Sequence, residues 1–169
     1  MSLPPRIDVH AVRERIGPYA DQNASLEQRT GIYRELIGFV PPRIEARMSV
    51  TGAIDPELLD LQEKMREHAM YPKCFDVKTV QLMLFGMLLM DLSDAAQLHG
   101  IAARKAGATW EEMQAVISLC FLFRGLPAAN RGAEILANLA KREATPTESE
   151  RAGGRQLAAP SRSAGKSTV

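Results

Sequence analysis

The apolar positions recur with the period of a helix along most of the chain. From Ser25 to Ile37 (SLEQRTGIYRELI), Leu26, Ile32, Tyr33, Leu36 and Ile37 fall mostly three or four residues apart and mark one helical face. Gly38 and then Pro41-Pro42 are expected to stop that helix. Asp55-Pro56-Glu57 opens the next one, because Asp can accept from free amides, Pro tolerates the first helical position and Glu suits the positive end of the dipole. Leu58, Leu61, Met65 and Ala69 then form a stripe expected to face a core. Asp76 is placed to cap a third and long helix, running from Val77 towards Ala106, whose middle is apolar on every side and is expected to be enclosed. Gly107 ends it, and Thr109-Trp110-Glu111-Glu112 supplies a T-x-x-E capping box for a fourth helix, so the two are predicted to form a hairpin with a tight turn. The fourth helix turns Met113, Val116, Ile117, Cys120 and Phe121 inward until Gly125-Leu126-Pro127 breaks it. A last helix continues through Ile135, Leu136 and Leu139. No window alternates strictly between hairpin dipeptides. The fold class expected is all-α: a compact multi-helix domain around a central antiparallel helix hairpin.

At 169 residues, with 46% apolar and 24% charged residues, the chain has the size and composition of one packed globular domain. Residues 1–24 are read as an N-terminal extension, 25–141 as the helical domain and 142–169 as a disordered tail, because the last stretch has only Leu157 and Val169 as large aliphatics. A formal charge of +1 creates no general field for nucleic acid or an anionic membrane, so neither partner is expected. The longest apolar run, Leu82 to Met90, has nine residues, whereas a bilayer span needs about 20. Met1 to Asp8 passes from a proline pair to charge with no apolar core, so no secretory leader is expected. Cys74 and Cys120 form no CxxC and no Cys/His cluster, so a disulfide framework and a metal site lack their ligands, and reduced thiols in a cytoplasm fit best.

Several short pieces occur together in a fixed order. They are Gly38-Phe39-Val40-Pro41, Asp55-Pro56-Glu57-Leu58-Leu59, Asp76-Val77-Lys78-Thr79, His99 with Gly107 eight residues on, Thr109-Trp110-Glu111-Glu112 and Gly125-Leu126-Pro127-Ala128-Ala129-Asn130. In these pieces, from about Gly38 to Leu139, the chain resembles the carboxymuconolactone decarboxylase and alkylhydroperoxidase D-like proteins. The GLPAAN stretch is most similar to the decarboxylase branch. Peroxidase members carry C-x-x-C-x-x-x-H, and counting back from His99 puts Ala95 and Leu92 where those sulfurs would stand. Where the family usually shows Lys-Thr-Arg-Glu, this chain has Lys78-Thr79-Val80-Gln81, and an amide cannot serve as a base. The spacing from Gln81 to His99 is also one residue shorter than in the family.

His99 is the candidate proton carrier. Ala95, Ala96, Ala102 and Ala103 lie three or four residues away on the same side and are read as leaving room beside the ring. The plainer alternative is a hydrogen-bonded histidine at an interface. Arg124 and Arg131 flank GLPAAN, where two guanidinium groups near a helix start suit a carboxylate substrate, and Arg124 is expected to be semi-buried after Phe121-Leu122-Phe123. The alternative for both is solvated charge or a subunit ion pair. Gln81 is a candidate donor to a developing oxyanion. Asp91 and Asp94 interrupt apolar sequence, and Asp94 is kept among the substrate-side candidates.

The resemblance implies a carboxy-lyase that needs neither metal nor organic cofactor and removes CO2 from a lactone acid of aromatic-compound catabolism, with His99 as acid, or a related proton transfer on a similar acid. It also implies a homo-oligomer, a trimer or hexamer. The exposed apolar middle of the long helix independently calls for subunit contacts. Two other readings stay open: a non-catalytic binding or scaffold homologue, and a cysteine-dependent peroxidase using Cys74 or Cys120.

Overall fold

The computed structural model describes residues 7–145, and among them every regular element is helical. The order is α1 (Val9–Arg15), α2 (Leu26–Ile37), α3 (Pro42–Ile54), α4 (Pro56–Met70), α5 (Val77–Met90), α6 (Ala95–Lys105), α7 (Trp110–Arg124) and α8 (Leu126–Ala144). Local chemistry sets most of the ends. Ser25 and Thr109 each form a complete capping box, with Gln28 and Glu112 as the returning side chains. Asp55 and Asp76 accept from the amides of Leu58 and Thr79. Gly38 sits in the left-handed region that ends α2.

Several expectations change. The long helix from Val77 towards Ala106 is two helices, broken at Asp91–Asp94. Leu92 lies at φ 53, Leu92 N donates to Leu89 O, and Ser93 N donates to Leu88 O, which is the Schellman arrangement with leucine where glycine is usual. Gly107 closes α6 with the same two bonds, from Gly107 N to Arg104 O and Ala108 N to Ala103 O. α7 packs chiefly against α8 and then α5, rather than against the α6 that precedes it. Pro41 and Pro42, read as a stop, also start α3, with Pro42 in the first turn where its missing amide costs nothing. The N-terminal stretch contains α1, capped by Asp8. α8 continues to Ala144, into the stretch read as tail, while the rest of that tail lies outside the described residues.

Two cores result. The larger joins α5, α6, α7 and α8 through Phe85, Leu89, Met113, Ile117, Ile135 and Leu139. Full burial of such side chains contributes about 1.5–3 kcal/mol each. The smaller gathers Tyr33, Met48 and Leu59 beneath Tyr19, Leu26 and Ile44. On α4 the expected stripe points the wrong way: Leu58, Leu61 and Met65 are exposed, whereas Leu59, Asp60 and Glu63 are buried. The inner face of α4 is ionic. Arg29 of α2 bonds Asp60 at 2.7 Å and Asp21 at 2.7 and 3.0 Å, and Lys64 covers the other Asp60 oxygen at 2.6 Å. Glu63 takes Arg47 of α3 and Arg66, whose guanidinium lies 4.8 Å from the centre of the Tyr33 ring. Lys64 and Arg29 hold the Asp60 carboxyl below the usual range. Phe121, read as inward, is 45% exposed.

Glycine lets the helices of the larger core approach closely. A Cβ on Gly132 of α8 would come within 2.6–2.9 Å of three Ile117 side-chain carbons, and one on Gly86 of α5 within 2.9 Å of Val116. Gly132→Ala is expected to lower stability by about 1–2 kcal/mol net, overpacking outweighing the helix propensity gained. Urea unfolding measures this, with Ile117→Val recovering part of the loss; an unchanged midpoint rejects the close α7–α8 contact.

Candidate functional site

α5 and α6 bring Gln81 and His99 together. Gln81 is fully buried, and its Oε1 lies 2.8 Å from His99 Nδ1. With the amide oxygen as acceptor, Nδ1 carries the hydrogen and donates, leaving the Nε2 lone pair free. The ring is half-buried, and burial pulls its pKa down to about 4, so the imidazole is neutral near pH 7. Gln81 Nε2 is buried without a hydrogen-bond partner. A donor left in that state costs about 1–3 kcal/mol.

The small residues around His99 serve packing rather than space. Ala96, Ala102 and Ala103 are essentially inaccessible, and a Cβ on Gly100 would meet Leu139 at 3.1 Å. The nearest cleft along the α5–α6 seam, of about 430 Å³, begins one turn away, with Val77 and Lys78 on α5 and Ala102, Lys105 and Ala106 on α6. Lys78 and Lys105 are cations that the sequence reading passed over. Lys78 pairs with Glu112 at 2.7 Å, which raises its pKa, and Lys105 donates to the Glu35 carbonyl at 2.6 Å. Lys78 stands three residues before Gln81 in a motif already noted; Lys105 had no sequence signal beyond its place in the last turn of α6.

The other candidates lie apart from the pair. Arg131 Nη2 bonds Asp94 at 2.5 Å and Nη1 bonds Glu134 at 2.7 Å, so these two candidates neutralise each other. Asp94 stands at the α6 N-cap, but its carboxylate ties α6 to α8 and accepts from none of the first amides, of which Ala95 N donates to Ser93 Oγ at 3.3 Å. Arg124 is exposed rather than semi-buried, in the last turn of α7 beside Phe123 and Leu122, which are 83% and 70% exposed. Asp91 is exposed at the end of α5. Cys120 is buried, its Sγ 3.5 Å from the Gly86 carbonyl, and burial pushes its thiol pKa up; Cys74 is exposed. Among the described residues no group of three His, Cys, Asp or Glu side chains is placed to hold a metal ion, and no helix is long and apolar enough to cross a membrane.

The model of the carboxymuconolactone decarboxylase family matches residues 56–138, from the first residue of α4 into α8. Through this segment the chain belongs to the carboxymuconolactone decarboxylase family. No curated protein and no solved structure matches it. The family segment contains Gln81, His99, Asp94, Arg124 and Arg131, whereas α1, α2 and α3 precede it.

The geometry sets the titration of this family member's histidine. Long-range ¹⁵N–¹H spectra are expected to show His99 as the Nδ1–H tautomer with a pKa of about 4. Gln81→Glu, which puts a carboxylate beside the ring, raises that value by about one to three pH units. Stability falls as pH drops from the ordinary histidine range towards 4, because the unfolded chain then takes up a proton that the folded ring refuses. Titration of His99 near its ordinary value of 6.5 in the unsubstituted protein rejects this account.

Proposed function

We propose that this protein is a cofactor-independent decarboxylase, or a lyase of the same proton-transfer kind, acting on a carboxylated lactone or similar acid. The observation that carries the reading is the desolvated Gln81–His99 pair in a member of this family. Gln81 acts as a positioning group: by accepting from Nδ1 it leaves Nε2 as the atom that takes and gives the proton. A substrate carboxylate arriving from the adjoining cleft, where Lys78 and Lys105 stand together with Glu35 and Asp76, stabilises the imidazolium and raises the pKa of the ring. The ring thus gains its proton from solvent as the anion binds. Cleavage of the C–C bond to the carboxylate releases CO2 and leaves the electron pair on the conjugated lactone carbonyl as a dienolate. Nε2–H then delivers its proton to carbon and returns to the neutral form. Arg131 is occupied by two carboxylates of its own chain and Lys78 by Glu112, so Lys105, which bonds only backbone carbonyls, is the better holder of substrate charge.

One observation favours a second reading. The ring is packed among buried alanines and does not line the 430 Å³ cleft, as suits a homologue that binds a small acid without converting it. For Cys120 the thiol peroxidase reading loses support, because burial raises the thiol pKa away from the reactive thiolate, whereas Cys74 is exposed.

Turnover decides between the two. With a mass-spectrometric screen for CO2 loss among lactone acids, His99→Ala is expected to lower kcat by about 10²–10⁴. For the unsubstituted enzyme, kcat/KM falls about tenfold per pH unit above the free-ring pKa, while kcat follows a higher value set in the complex. Full turnover by His99→Ala overturns the proposal, and saturable binding with no product favours the binding homologue.

The protein is also proposed to work as a homo-oligomer, a trimer or hexamer. Supporting this are Leu58, Leu61 and Met65 on α4, Met83 and Met87 on α5, and Leu122, Phe123 and Leu126 around the α7–α8 corner, all left exposed on a single chain. Light scattering at micromolar concentration is expected to give a multiple of the 18.6 kDa chain mass, and a stable monomer rejects it.

A further inference from the structure

Outside the family segment, α1, the Gly17–Tyr19 segment, α2 and α3 surround a cavity of about 290 Å³. Its walls are mainly apolar: Val9 and Val12 of α1, Pro18, and Leu26 of α2. α1 covers this space without filling it, since none of its seven residues is buried. A helix so short has little stability of its own and depends on what it packs against. Ser49 of α3 also lines the cavity. It is 4% exposed, and its Oγ has no hydrogen-bond partner.

The wall beside Ser49 is held in place. Ala20 N donates to the Gly52 carbonyl at 2.9 Å, and the Tyr19 ring lies so close to Gly52 that a Cβ there would come within 2.4 Å. The Tyr19 hydroxyl is tied to Asp21 and the Ala24 carbonyl, each at 3.0 Å. The cavity is therefore preformed, as small-molecule sites usually are, and lies near the lower end of their size range. Among the described residues Arg13 is the one charged lining residue and it is exposed to solvent, so none of them supplies a buried cation to neutralise an anion.

We propose that this cavity is a binding site for a small, uncharged, largely apolar molecule with one acceptor oxygen, such as a ketone, ester or lactone carbonyl, which accepts the Ser49 O–H. One occupant then supplies both missing partners: apolar contact for Val9, Val12 and Leu26, and an acceptor for the orphan hydroxyl. The site is independent of the chemistry assigned to His99.

Methyl-resolved NMR of the full chain tests this with cyclohexanone and, as a carbonyl-free control of similar shape, cyclohexane. Cyclohexanone is expected to shift the Val9, Val12 and Leu26 methyls saturably while leaving those of Leu89 and Leu139 unmoved. Ser49→Ala removes only a buried unpaired hydroxyl and should fold as the parent does. It is expected to weaken cyclohexanone about fivefold or more and to leave cyclohexane unchanged. Absence of a saturable shift, or equal cyclohexanone affinity in Ser49→Ala and the parent, overturns the proposal.

Discussion

The interaction on which the rest depends is the burial of one amide between α5 and α6. Gln81 is the one polar member among the eight largest fully buried side chains of the described residues, in company with Phe85, Leu89 and Met113. An amide in such surroundings must find its partners within the protein, and only its oxygen does so, at His99. That single contact fixes the tautomer of the ring. The dryness that makes the amide costly also keeps the ring neutral. A wetter seam would relieve Gln81 and return the imidazole to ordinary behaviour.

Helix separation maintains that dryness. Gly86 lets Val116 approach α5, Gly132 admits Ile117 against α8, and Gly100 admits Leu139 against α6. The contacts at Gly100 and Gly132 pack hydrocarbon closely, while the one at Gly86 and Val116 borders a cleft of about 530 Å³. They also account for the alanines beside His99, which close the gap between helices instead of opening one for a ligand.

The caps were legible in the sequence because capping is local chemistry. Asp55, Asp76 and the Thr109 box need only a side chain three residues from an amide. The break at Asp91–Asp94 was not legible, and comparison with Gly107 shows why. Both stops have the same hydrogen bonds, but one places glycine at the left-handed residue and the other leucine, which gives no local sign of a turn. The face of α4 was misread because its inner side is stabilised by Arg29 of α2 and Arg47 of α3 acting on two carboxylates, with Arg66 of α4 itself, and apolar periodicity is blind to ionic partners from other helices. Of the candidate site, His99 and Gln81 meet although they are 18 residues apart; the arginines do not join them, since each is positioned by a helix end whose direction depends on tertiary packing.

The ionic clamp of Arg29 crosses a boundary that homology draws at residue 56. Asp60 lies inside the family segment, while its guanidinium comes from α2, and that guanidinium is shared with Asp21 still further upstream. Glu63 depends in the same way on Arg47 of α3. The family portion of this chain thus shares its ion pairs with the helices before it. Without α2 and α3, Asp60 and Glu63 would face water on what had been an interior side, with only Lys64 and Arg66 of α4 left as partners.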